Sequence, residues 1–243
     1  WTISGNADFS GGTYTATSGN TLAFNGTSKT LTSNAQTLHH VSITGGSVTH
    51  SGALDVNGAF SVTAGTFTQA ANVNINIAGN FSLSNGFTFT KASGSGKLIL
   101  DGDLTFTDST ATPQDLGAVE IGTSPDTTDL ASDMAATSVT VNAGDVLNTN
   151  GYDLDIGTGG VTISGTLDAT DDVETDETAI TTEGLFDLNS GATFTQDQST
   201  VTFDAASGTD DITDDATLTF YNLVLNDAGG SLQVDVENSV EVS

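Results

Sequence analysis

The sequence predicts an all-β chain wound as a right-handed parallel β-solenoid, with an array of β-sandwich repeats as the rival architecture. Three observations carry this. Short runs in which apolar and polar residues alternate recur along nearly the whole length. Gly, Asn, Asp or Ser separates the runs, which start roughly every 8–12 residues. The pattern also repeats internally: Gly12-Thr13-Tyr14-Thr15 through Leu54-Asp55-Val56 is echoed by Ala192-Thr193-Phe194-Thr195 through Leu232-Gln233-Val234.

In chain order the runs are 13–15, 21–24, 41–43, 53–56 and 59–62, then 73–77, 81–83, 87–90, 97–100 and 104–106. They resume at 138–141, 152–156, 161–163, 193–195, 201–203, 223–225 and 232–234. Each is rich in Thr, Val, Ile, Leu and Phe, the residues that fit a pleated, half-buried surface. A finer spacing of about 20 residues runs inside the long repeat, the length of one solenoid coil. One coil cannot bury its apolar face alone, so coils stack and the inward Val, Ile, Leu and Phe form a continuous core. Asn57, Asn74, Asn76 and Asn80 suit turns or stacked amide ladders. The rival sandwich would use the hairpin-type pairs Asn25-Gly26, Asn57-Gly58, Asn85-Gly86, Asp101-Gly102 and Asn150-Gly151. Two segments break the rhythm. Residues 109–136 hold Pro113 and Pro125 and read as a long excursion or a short helix near 129–135; residues 168–184 read as a protruding acidic loop. The chain is therefore expected to be one elongated domain over 1–243, near-neutral over residues 1–100 and acidic over residues 101–243.

Charge sets the exclusions. The 243 residues carry three Lys, no Arg and 31 Asp plus Glu, a net charge of −28. Such a chain cannot hold nucleic acid by neutralising phosphates, nor an anionic membrane through a basic patch. No apolar run approaches the roughly 20 residues that span a bilayer. Without Cys there is no disulfide, thiolate nucleophile or zinc ribbon. Two acids, Asp8 and Asp55, and all three Lys fall in residues 1–100; the other 29 acids follow. No basic n-region or apolar h-region occupies residues 1–10, so either a signal peptide has been removed or the chain is a piece of something longer.

The run Ser190-Gly191-Ala192-Thr193-Phe194-Thr195, continued by Ser199-Thr200-Val201-Thr202-Phe203 and Ala216-Thr217-Leu218-Thr219-Phe220-Tyr221-Asn222-Leu223-Val224-Leu225-Asn226, resembles the repeats of large bacterial surface proteins of the β-solenoid, adhesin-like and filamentous-haemagglutinin-like kind. The resemblance is best over 186–242, weaker over 9–62 and poor over 101–185. It carries no catalytic residues. It implies a secreted or cell-surface structural role as an adhesin stalk, sheath, surface-layer element or filament subunit.

Three acidic clusters are the candidate metal ligands: Asp171, Asp172, Glu174, Asp176 and Glu177; Asp210, Asp211, Asp214 and Asp215; and Asp126, Asp129 and Asp133. Flexible acidic loops supply the six to eight oxygens that Ca²⁺ takes. Neither an EF-hand loop nor Gly-Gly-x-Gly-x-Asp nonapeptides occur, so a solvated acidic surface stands beside the Ca²⁺ reading. The pair Asp171-Asp172 could serve as glycosidase carboxylates, but the absence of Arg and the position of every Lys before residue 98 argue against a polysaccharide-active enzyme. His39 and His40 are expected on opposite faces of a strand, with His50 a strand or turn residue. Thr-x-Thr runs at 13/15, 66/68, 88/90, 105/107, 193/195 and 217/219 match either a half-buried strand or the rows of an ice-binding solenoid. Asn25-Gly26-Thr27 and Asn80-Phe81-Ser82 are glycosylation triplets that chance also supplies.

The expectation is thus an extracellular structural protein that self-associates head to tail as a homo-oligomer, with Ca²⁺ as the expected ion. A glycan-, ice- or surface-binding adhesin module is the alternative.

Overall fold

The computed structural model describes residues 1–123, 125–171, 177–204, 209–226, 231–236 and 239–242, without side-chain detail at 209–210, 231–236 and 239–240. Among these residues there are thirty strands and no helix. Strand pairing is parallel throughout the described ladders, which excludes the hairpin-built sandwich: the chain is a β-solenoid of about ten turns. It divides into two compact units, Trp1–Ala118 and Val119–Ser243.

In the first unit one sheet stacks Thr2–Ile3, Thr21–Phe24, His40–Ser51, Phe60–Thr68, Phe81–Leu83 and Leu104–Asp108. Ala7–Asp8, Lys29–Thr32 and Phe87–Thr90 add to the same sheet beyond a corner. A second sheet stacks Thr37–Leu38, Leu54–Val56, Ile75–Ile77 and Lys97–Leu100. Successive coils put like on like. Leu22 lies on Val41, Val41 on Phe60, Phe60 on Phe81 and Phe81 on Phe106, all fully or almost fully buried. The Phe60 and Phe81 rings are 5.5 Å apart and nearly parallel, and Phe81 and Phe106 are 5.6 Å apart. Burying each such side chain contributes about 1.5–3 kcal/mol relative to exposing it. The alternation seen in the sequence is the alternation of core and surface.

The corner has a steric cause. Gly46 and Gly65 have φ of 68° and 88°, which favours glycine. A Cβ on Gly65 would lie 2.1 Å from the Gly46 carbonyl oxygen, and one on Gly46 2.3 Å from that of Gly26. Stacked glycines therefore bend His40–Ser51 and Phe60–Thr68 at a corner where their register shifts on either side of Thr44 and then resumes at Ser47. Amide side chains tie neighbouring coils: Asn72, Asn74 and Asn80 accept from the backbone N–H groups of Ser95, Lys97 and Thr105 at 3.0 Å. Asn76 donates to Asp101 at 2.9 Å.

The second unit has three longer ladders. One contains Thr127–Leu130, Val146–Asn148, Thr166–Asp168 and Thr193–Thr195. Another runs from Ala118–Ile121 through Ser138–Val141, Val161–Ile163, Phe186–Leu188 and Thr209–Asp214 to Ser231–Val236. The third runs from Met134–Ala136 through Leu154–Ile156, Ala179–Thr182 and Thr200–Phe203 to Asn222–Leu225. Thr217–Phe220 pairs with Ser239–Val242. Stacked partners are 19 positions apart at Val41 and Phe60 and 26 apart at Phe186 and Ile212, so coil length varies around the expected 20.

Three sequence expectations need correction. The helix near 129–135 does not form; Thr127–Leu130 and Met134–Ala136 are strands, with Leu130 and Met134 in the core. Within the excursion expected over 109–136, residues 109–117 form no ladder strand, and strands occur at Ala118–Ile121, Thr127–Leu130 and Met134–Ala136. The 109–117 stretch is held by buried Asp108, whose Oδ1 accepts from the Thr110 N–H at 2.9 Å and whose Oδ2 accepts from the Gln114 N–H at 2.8 Å. Residues 13–15 form no strand. The Tyr14 N–H is taken by the Gln36 side-chain oxygen at 2.9 Å, and the Tyr14 ring packs on Phe9.

Candidate functional site

The acidic candidates separate when the strands form. Along Thr209–Asp214 the period of two sends Asp214 into the interior and leaves Asp211 partly exposed on the opposite face. Asp215 follows, exposed. The side chain of Asp210 lies outside the described residues. Asp211 and Asp215 instead flank Asp187 of the neighbouring coil, which pairs with Thr213 between them. Partial burial, then the Asp215 charge, then the Asp211 charge, holds the Asp187 carboxyl above its ordinary range. Sequence inspection missed Asp187 because it is more than twenty positions from its neighbours in space.

Asp171 and Glu177 line a cavity of about 170 Å³ together with Thr178, Asp197, Gln198 and Ser199. Asp172, Glu174 and Asp176 lie outside the described residues. Asp197 Oδ2 accepts from the Asp171 N–H at 3.4 Å. Ser199 is buried and its Oγ has no hydrogen-bond partner among the described residues. Asp197 and Ser199 are additions of the structure, brought in by the coil after Asp171. Among the described residues no three His, Asp or Glu side chains converge closely enough to hold a metal ion as they stand.

The third acidic group is dispersed into structural bonds. Asp129 Oδ1 accepts from the Asn148 side chain at 3.2 Å, and Asp133 Oδ1 from the Asp153 N–H at 3.1 Å. The Asp126 N–H donates to buried Asp145 at 2.9 Å.

The histidines do not form a ligand set. A bend at His39 turns the rings of His39 and His40 against each other, with centroids 4.1 Å apart, rather than to opposite faces. His40 Nδ1 accepts from the Ala59 N–H at 2.8 Å. His50 is buried and stacked on Phe67 at 5.7 Å.

Two surfaces stand out besides the acids. Asn222–Leu225 is the last strand of its ladder, with Phe203 of the preceding coil in register with Leu225. Phe203 is fully buried, whereas Leu225 is 57% exposed and Val224 41%. In the first unit, outward hydroxyls stack across four strands beyond the glycine corner.

These features define the class: a parallel β-solenoid repeat protein, with a stacked apolar core and sheet surfaces that carry hydroxyls in one unit and carboxylates in the other. Comparison with protein-family models, with curated proteins and with solved structures returns no match.

Proposed function

We propose that the chain is an extracellular structural module that self-associates end to end through its solenoid coils. The observation that supports this reading is the Asn222–Leu225 strand. Its outer edge has no strand beyond it among the described residues; Leu225 continues the buried Phe203 rung as exposed apolar surface, and exposed Val224 lies on Thr202 on the other face. An open strand edge with apolar side chains is a template for another strand, and a contact between unlike surfaces that does not close gives a filament. Charge favours an unlike contact. Residues 1–118 hold six acids and three Lys, net −3, whereas 119–243 hold 25 acids and no Lys. Two acidic surfaces repel; the acidic unit of one copy meets the nearly neutral unit of the next at lower cost. Ca²⁺ drawn to the carboxylates around Asp171, Glu177 and Asp197 would lower that repulsion further.

Sedimentation velocity and electron microscopy of the purified chain, with millimolar Ca²⁺ and then with chelator, test the reading. Ordered fibres or sheets are expected, shortened by chelation. Leu225→Lys places a charge on the open edge and is expected to abolish them while leaving the circular dichroism unchanged. Monodisperse single chains at high micromolar concentration in both conditions would refute self-association.

A further inference from the structure

We infer that the outward hydroxyl grid of the first unit is an ice-binding surface. The inference is independent of self-association. The grid has two columns. Thr30 pairs with Thr49, Thr49 with Thr68 and Thr68 with Thr90. Beside them Ser47 pairs with Thr66 and Thr66 with Thr88. Between the columns Val48, Phe67 and Phe89 stack inward and are buried, which fixes the hydroxyl-bearing residues outward. The two repeats of the grid follow from strand geometry: about 4.8 Å from strand to strand and about 6.6 Å between alternate residues along a strand.

Ser47 Oγ, at one end of the grid, accepts from the Ser28 N–H at 2.8 Å; the threonine hydroxyls are available. Elsewhere in this sheet Thr44 and Thr63 donate to the Phe24 and Ile43 carbonyls at 3.1 Å, and Ser61 donates to Ser42 at 2.9 Å. Thr49, Thr66, Thr68, Thr88 and Thr90 make no side-chain hydrogen bond among the described residues, and each lies at least partly exposed. Threonine is stiff at χ1, so the grid loses little freedom when it binds.

Chemistry narrows the partner. In a chain of net charge −28, no position in the two columns is charged. A mineral surface needs ionic ligands, which the columns lack. A crystalline polysaccharide is gripped by exposed aromatic platforms, and the large exposed aromatics among the described residues, Trp1, Tyr152 and Tyr221, lie outside the grid. What remains is a rigid, uncharged array of hydroxyls and methyls with two fixed repeats. Ordered water satisfies it: the ice lattice repeats at close to the same two spacings. Waters held by the hydroxyls then occupy lattice positions, while the methyls fill the gaps between them. The grid is bounded. Lys29 marks one rim, and at the other the Phe89 N–H is taken by the Gln114 side chain.

The test is partition of the full chain into a slowly growing ice shell, measured against serum albumin. Thr68→Tyr, at the centre of the grid, and Thr90→Lys, at its edge, are each checked for an unchanged circular dichroism spectrum. Thr200→Tyr, on an outward position of the second unit, is the control. The wild type and the control are expected to enter the ice, and each grid variant to lose about tenfold in partition, equivalent to ~1.4 kcal/mol. Exclusion of the wild type at the albumin level would overturn the inference. So would folded grid variants that partition like the wild type, or binding to microcrystalline cellulose that the grid variants abolish in the absence of any uptake into ice.

Discussion

Acidification is expected to loosen the first unit through His50. The imidazole is 1% exposed, with its ring stacked at 4° on Phe67. Nδ1 lies 3.1 Å from the Gly52 carbonyl oxygen and Nε2 has no hydrogen-bond partner among the described residues. The Gly52 contact requires the proton on Nδ1, so Nε2 is a bare lone pair in an apolar core. A second proton there would bury an uncompensated charge. Accordingly, burial holds the His50 pKa below its ordinary value, outweighing the Gly52 bond. The strands packed on His40–Ser51 bring only Lys29 and Asp55 as charged groups, and Asp55 takes a hydrogen bond from Thr37 at 2.6 Å. The sign follows. Above the unfolded pKa of about 6.5 both states are neutral and pH has no effect. Below it the unfolded chain binds one proton more than the folded chain, and stability falls by about 1.4 kcal/mol per pH unit. Between pH 7.5 and 5.5 the loss is at most ~1.4 kcal/mol, the limit in which the folded imidazole takes up no proton. Urea unfolding midpoints, read by circular dichroism at half-unit steps, compare the wild type with His50→Phe, which keeps the stack on Phe67. The wild type should lose more stability than the variant, which keeps the contribution of His40, held below its ordinary value by burial and the neighbouring His39. Equal slopes for the two proteins would refute the reasoning.

Two further outcomes follow from the packing. Gly65→Ala places a Cβ 2.1 Å from the Gly46 carbonyl oxygen at a φ of 88°, so it is expected to destabilise the first unit by about 1–3 kcal/mol, read as a fall in the thermal midpoint. Asp187→Asn removes a carboxylate that burial and the Asp215 and Asp211 charges disfavour. The folded state binds its proton more readily than the unfolded one, so the wild type gives up stability as pH rises from about 4. The variant should be more stable at neutral pH, by less than about 1 kcal/mol and less still in high salt.

The fold was legible because each coil writes the same message. A run such as Thr66-Phe67-Thr68 states its own inward residue, and the next coil repeats it at Thr88-Phe89-Thr90. Period two needs only local residues, so the core could be read without knowing which strands pair. The failures came where a local pattern was overruled by a partner. Residues 13–15 alternate like a strand, yet the Gln36 side chain takes the Tyr14 N–H that a ladder would need. Residues 129–135 lack Gly and Pro and looked helical, but Leu130 and Met134 are wanted in the cores of two different ladders.

The sites were less legible for the same geometric reason. On a solenoid, residues adjacent in sequence are sent to opposite faces, and residues one coil apart are brought together. Asp214 and Asp215 are neighbours in the chain, but the first is buried and the second exposed. Asp187 and Asp211 are 24 positions apart and feel each other's charge. A cluster of acids in the sequence is therefore a poor guide to a cluster in space, whereas a residue type recurring at coil spacing is a good one. By that criterion Asp187, set beside Asp211 and Asp215 by the coil spacing, has more weight than a run of acids in the sequence. The hydroxyls at 30, 49, 68 and 90, separated by 19, 19 and 22 positions, gain weight too, because coil-spaced recurrence is what aligns side chains into a surface.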